Sequence, residues 1–169
     1  MQPYIIMTTS PQISTESRTV DGHVDPLSMS GLELMRAWMN DADRGARPSI
    51  GRLIGMSPKQ IDEGSVTFTV TPQPDFANPL GTVHGGICAT LLDSVMGCAI
   101  HTTLPAGVGY TTLELKVNYI RTVAVDAEEI TGVGTVIHVG GRTATAEGKV
   151  YSADGKLVAH GSTTCIVFR

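Results

Sequence analysis

Between Pro79 and Leu113 the sequence carries one formally charged side chain, Asp93. It stands in the apolar run Leu91-Leu92-Asp93-Ser94-Val95-Met96. An unpaired carboxylate in such surroundings costs several kcal/mol. Either neighbouring backbone or Ser94 satisfies it, or it is exposed at a subunit contact, or it is a general base or nucleophile tuned by burial. Eight residues upstream stands His84-Gly85-Gly86. If a helix starts there, its first N–H groups lack intrahelical acceptors and share the positive end of the helix dipole. Two glycines, Gly85 and Gly86, let a ligand oxygen approach that backbone closely. Those are the requirements of an oxyanion hole. His84 fits four parts: a satisfied core histidine, a hydrogen-bond donor at the helix entry, a proton carrier, or an orienting group beside the oxyanion. No GxxxxGK[ST] or GxGxxG run is present, so this is not a phosphate loop.

The spacing of these groups constrains how they can cooperate. On one helix, Gly85 and Asp93 lie about 12 Å apart at 1.5 Å per residue. A base and an oxyanion donor must converge within about 3 Å of the reacting atoms. One helix cannot bring both to one carbonyl, but two antiparallel copies meeting across a two-fold axis can. If the motif is catalytic, the site takes Gly85 from one subunit and Asp93 from the other, and a homodimer is the minimal active unit.

The elements that must hold these groups follow from periodicity. Residues 84–105 are apolar nearly all round, as in a buried helix, and Pro105 with Gly107 closes the segment. Before it, residues 50–58 and 63–71 read as a hairpin, with Val66, Phe68 and Val70 alternating with polar neighbours. After it come strand-like runs at 110–119, 127–139, 142–152 and 157–168, with turns at Gly140-Gly141 and Asp154-Gly155. In the first of these, Leu113, Leu115, Val117 and Tyr119 share one face, and Thr112, Glu114, Lys116 and Asn118 the other. Gly132, Gly134, Ala144, Ala146 and Gly148 recur inside the late strands, where a glycine marks a close approach to the backbone. The buried helix is the natural occupant, so the pattern predicts a strongly curved antiparallel sheet around it. Ser30 with Glu33 forms a capping box for a short helix bearing Leu32, Met35 and Met39, with Trp38 beside this stripe. Residues 1–29, rich in Ser, Thr and Pro, read as a flexible arm ahead of a single domain over 30–169.

Composition narrows the function classes. The chain has 169 residues, 41% hydrophobic and 17% charged, enough to bury one core without disulfides or metals. Its net charge of −4 argues against a general nucleic-acid or membrane-surface protein. Cys88, Cys98 and Cys165 form no CxxC pair, which leaves no zinc or redox motif and fits structural thiols in a reducing compartment. The longest apolar-rich segment, Ile87 to Ile100, is too short to span a bilayer. No secretory signal is visible, so a cytoplasmic protein is expected.

Residues 78–121, NPLGTVHGGICATLLDSVMGCAIHTTLPAGVGYTTLELKVNYIR, closely resemble the hotdog-fold thioesterases of the phenylacetic-acid-degradation (PaaI-like) type. The resemblance extends over roughly the last 120 residues. It implies an α+β hotdog fold, about six antiparallel strands curved around one long central helix. It also implies hydrolysis of an acyl-CoA thioester without a cofactor. Asp93 would be the helix carboxylate acting as general base or nucleophile. Gly85, with His84 beside it, would be the oxyanion-binding helix start. Asn78 would position the water or the thioester, and Thr112 would place a small hydroxyl near the nucleophilic water. CoA carries phosphates, so an acidic protein needs local cations for it, and Arg121 and Arg142 are the candidates. The resemblance further implies a homotetramer of two double-hotdog dimers. Two rivals use the same groove: a non-catalytic acyl-CoA-binding module and an enoyl-thioester hydratase or dehydratase. The asparagine, HGG and aspartate arrangement fits hydrolysis better. Pocket shape, and with it the acyl group, rests on where Trp38, Met96 and Tyr110 fall.

Overall fold

The computed structural model describes residues 19–20, 23–24, 26–41 and 48–168. The arm expected over 1–29 falls largely outside these. Its described part holds a two-residue strand pair, β1 (Thr19–Val20) and β2 (His23–Val24), and a 3-10 turn at Pro26–Ser28. Helix α1 (Gly31–Asn40) follows. Its Ser30 cap and Glu33 form the expected reciprocal box, the Ser30 side chain accepting from Glu33 N–H and Glu33 from Ser30 N–H. Trp38 on this helix packs against Phe68, ring centroids 5.7 Å apart.

The main sheet has six strands. They are β3 (Ser57–Asp62), β4 (Ser65–Val70), β5 (Gly109–Tyr119), β6 (Ile130–Val139), β7 (Thr143–Tyr151) and β8 (Leu157–Phe168), in the order β3-β4-β6-β7-β8-β5. Every neighbouring pair is antiparallel. One long helix, here α3 (Gly85–His101), packs on a single face of this sheet and touches β4 to β8. Leu91, Leu92, Val95, Met96 and Ile100 of α3 are fully buried against Phe68, Ile130, Ala146, Val150 and Ala159. This is the hotdog architecture that the resemblance implied. No helix among the described residues is long and apolar enough to cross a membrane.

The glycines of the late strands lie where the helix comes closest. A Cβ added to Gly132 would sit 2.6 Å from Leu91 Cγ, and one added to Gly148 would sit 2.9 Å from Leu92 and Met96 side-chain carbons. At Gly134 the obstacle is the backbone carbonyl of Val95 itself. A flexible side chain can turn aside, but a helix carbonyl cannot move without shifting the helix. Gly134→Ala is therefore expected to cost at least about 2–3 kcal/mol, the upper range for overpacking. Urea unfolding checks this, with Gly141→Ala as the control, since nothing lies within 4 Å of a Cβ there.

Two expectations need correction. The hairpin forms, but its first strand begins at Ser57 rather than residue 50. Residues 50–53 instead make one helical turn, α2 (Ile50–Leu53), because Ser49 accepts the Arg52 N–H at 3.1 Å. Gly55, at φ +66°, then redirects the chain toward β3. The long helix also stops at His101, short of residue 105. Thr102 and Thr103 donate their hydroxyls to the carbonyls of Ala99 and Ile100, each at 2.7 Å, and close the last turn.

Candidate active site

Strand β5 lies at the sheet edge and runs antiparallel to α3, so their residues meet in reverse order. Gly85 faces the ring of Tyr119, Asp93 faces Thr112, and Gly97 faces the ring of Tyr110. The helix side is the simple part: positions 85, 93 and 97 fall on one stripe at multiples of four. The strand side needs a break in alternation. Thr112 pairs with Cys165 and Glu114 with Thr164, so β5 advances two residues while β8 advances one. Leu113 is the extra residue of a β-bulge and is 60% exposed. Ahead of it Tyr110 and Thr112 point at the helix, and beyond it Leu115, Val117 and Tyr119 do. The expectation that Thr112 faces away from Leu115 and Val117 is thereby overturned, because strict alternation does not survive a bulge.

The consequence is a direct bond. Thr112 Oγ1 donates to Asp93 Oδ1 at 2.9 Å, the one hydrogen bond to this half-buried carboxylate among the described residues. Behind it, Cys165 Sγ lies 4.0 Å from the same hydroxyl. Tyr110 packs on Gly97, stacks near His101 with centroids 5.4 Å apart, and brings its hydroxyl to Cys98. Burial pushes the Cys98 thiol up to about 12 and holds the Tyr110 phenol well above its ordinary value. It raises the Cys165 thiol and lowers the His101 imidazole as well. At neutral pH these neighbours bring polarity but no charge to Asp93.

His84 is the N-cap of α3 and is exposed. Its Nδ1 accepts the Gly86 N–H at 2.9 Å, and its carbonyl accepts the Ile87 N–H at 3.0 Å. Accepting at Nδ1 leaves the ring proton of a neutral imidazole on Nε2. Of the first three helix amides, only that of Gly85 has no partner among the described residues. Gly86 spends its N–H on the cap. Because Gly85 and Asp93 share one continuous helix, the separation of about 12 Å applies within a chain.

The other expected residues are placed differently. Asn78 stands in the loop before the helix, and its side chain serves that loop. Its Oδ1 accepts from Leu80 N–H at 2.9 Å and Thr82 N–H at 3.2 Å, and its Nδ2 donates to Thr82 Oγ1 at 2.9 Å. Through Thr82 and Val83 this loop joins Ala124 and Val123, which sets where α3 begins. Arg121 lies just beyond β5 and donates to the Leu157 carbonyl. Arg142 lies at the opposite end of the sheet, next to the pair Thr143–Ile166. At about 3.4 Å per residue along β5 the two are roughly 30 Å apart, so one chain does not bring them together. Among the described residues no cluster of His, Cys, Asp and Glu could hold a metal ion. Tyr119 and Cys165 escaped the reading of the sequence. Gly85 and Gly97, on the stripe of Asp93, were the available signal, since each leaves room for a tyrosine of β5.

Comparison with known proteins agrees with this fold. A family model described as the thioesterase superfamily matches residues 80–159. A Halobacterium salinarum protein provisionally named an esterase is 30% identical over 127 residues, covering 69% of this chain and 82% of that protein. Among solved structures, a conserved protein of Pseudomonas aeruginosa is 30% identical with a TM-score of 0.68, covering 76% of this chain and all of that one. A Ralstonia eutropha protein, provisionally described as a thioesterase related to phenylacetic acid degradation, is 28% identical with a TM-score of 0.66. That match covers 76% of this chain and 98% of its counterpart.

Proposed function

The chain belongs to the thioesterase superfamily, and on that premise we propose that it hydrolyses an acyl-CoA thioester to a free acid and CoA at a site shared by two copies. The observation that carries the reading is the bond between Thr112 and Asp93. It uses the single proton of the threonine and one carboxylate oxygen. A water can then donate one proton to Asp93 Oδ2 and the other to a lone pair of Thr112 Oγ1. Both its protons are engaged, and a lone pair of the water faces outward, toward a carbonyl carbon. That arrangement favours Asp93 as general base over direct attack by its carboxylate.

The cycle then closes with every atom accounted for. The thioester oxygen accepts from the N–H of the partner's Gly85. Water adds to the carbonyl carbon as its proton passes to Asp93, and the negative charge grows on the oxygen held by that amide. The tetrahedral intermediate collapses, the C–S bond breaks, and the departing thiolate takes the proton from Asp93. His84 shapes the helix start through its cap. Asn78 acts at one remove, by fixing the loop that leads into α3. Arg121, on the Tyr119 side of Gly85, is better placed than Arg142 to meet the CoA phosphates.

The second copy docks on the open edge of β5, where Leu113 and Tyr119 are 60% and 56% exposed. A homodimer is the minimal active unit, two dimers form a homotetramer, and the protein works in the cytoplasm. A thioester panel tests the function: acetyl, medium-chain, long-chain and aromatic acyl-CoA, with thiol release followed and products weighed by mass spectrometry. Free acid and CoA in equal amounts are expected from at least one member. Saturable binding without turnover across the panel would make the protein a binding module. Hydroxyacyl-CoA formed from an enoyl-CoA would make it a hydratase.

A further inference from the structure

An oxyanion site needs donors, and the helix start of this chain supplies fewer than its sequence suggests. Two consecutive glycine amides would make a natural pair. The Gly86 N–H is already bound to His84 Nδ1 at 2.9 Å, and the Ile87 N–H to the His84 carbonyl. One amide, that of Gly85, remains. The free donor of His84, Nε2–H, diverges from the Nδ1 lone pair that the Gly86 amide occupies and so is directed away from that amide.

Beside Gly85 stands another hydroxyl. A Cβ placed on Gly85 would lie 3.0 Å from Cε1 and Cζ of Tyr119 and 3.3 Å from its phenol oxygen. The outer end of the ring therefore rests on the first residue of the helix. In any residue N and Cβ are about 2.5 Å apart, given standard bond lengths. The phenol oxygen and the Gly85 nitrogen are thus within about 6 Å of each other, a span that one acceptor can bridge with two hydrogen bonds. Among the described residues the Tyr119 hydroxyl has no hydrogen-bond partner, and the side chain is 56% exposed. An aromatic ring laid on a glycine, with its hydroxyl free at the mouth of an unpaired amide, is more than packing requires.

We propose that the Tyr119 hydroxyl is the second oxyanion donor, acting with the Gly85 N–H on the thioester oxygen. This rests on the thioesterase reading above and adds a catalytic residue to it. The same contact explains Gly85 from the protein's side: a larger residue would displace the ring as well as obstruct the ligand.

Tyr119→Phe keeps the ring and deletes the donor, so it is the deciding variant, measured beside Asp93→Asn on the best substrate of the panel. The expected result is a kcat lower by about 10-fold or more, with KM within about twofold and an unchanged melting temperature, as for loss of a donor used mainly in the transition state. Tyr119→Leu should be no less impaired than Tyr119→Phe. Should Tyr119→Phe retain native kcat while Asp93→Asn is inactive, the phenol is not a donor and the thioesterase reading stands without it. A rise in KM alone would equally overturn the proposal, since it would make Tyr119 a wall of the binding groove. Native activity in Asp93→Asn would instead remove the mechanism on which the proposal rests.

Discussion

Asparagine in place of Asp93 is expected to leave a folded protein that turns over at least about 10²-fold more slowly, the scale of lost acid–base catalysis. The substitution is nearly isosteric. The amide oxygen can still accept the Thr112 hydroxyl that now reaches Asp93 Oδ1 at 2.9 Å. Helix α3 keeps its packing, because its buried face is made by Leu91, Leu92, Val95 and Met96. What disappears is the carboxylate that, beside Thr112, can take a proton from water. The loss should fall on kcat, with KM and melting temperature little changed. Steady-state kinetics and thermal unfolding of the two proteins check it, and a near-native rate would exclude Asp93 from the mechanism.

The second large effect is a recovery. Gly85→Pro deletes the unpaired amide and, since a Cβ there would lie 3.0 Å from the Tyr119 ring, displaces that ring too, so both changes fall on the oxyanion side of the site. Proline suits the first helical position, where its missing N–H has no intrahelical partner. His84 already has ψ 133°, the extended backbone that a following proline demands. This variant should lose about 10²–10³ in kcat, as when an oxyanion donor is removed. Mixed with Asp93→Asn by co-expression or refolding, it should regain activity. A heterodimer carries one site with both defects and one with neither, so random pairing restores about a quarter of the native rate. Catalysis confined to one chain predicts a mixture as dead as its parts. Tagging the two variants differently lets the heterodimer be purified and assayed by itself.

Much of the scaffold could be read from residue types. A segment apolar on all sides had to be an enclosed helix, and the small residues at 132, 134, 144, 146 and 148 showed where the sheet would receive it. Ser30 and Glu33 announced a helix start three residues apart. Less could be read wherever a side chain spends its polar groups locally. Ser49 turns four residues into a helix by accepting one N–H, and Asn78 is consumed by its own loop. His84 occupies the Gly86 amide, which halves the donors that two glycines promise. Asp93 and Gly85 were legible because a carboxylate in an apolar run and paired glycines at a helix start are both costly unless used. Tyr119 was not, since an aromatic on an alternating strand looks like core until the backbone beneath it is seen.

Leu113 takes part in no chemistry, yet because it is left unpaired, residues 112 and 115, an odd number apart, look the same way. Were every residue of the strand paired instead, even alternation would turn the hydroxyl of residue 112 to the outer face, away from the acid it now serves. Every reacting group would still be encoded, and the protein would be silent. Exchange of that side chain should therefore be tolerated, and so should its deletion, since the shortened strand alternates regularly with residues 112 and 115 both inward; what is inherited there is a pairing rather than a chemistry.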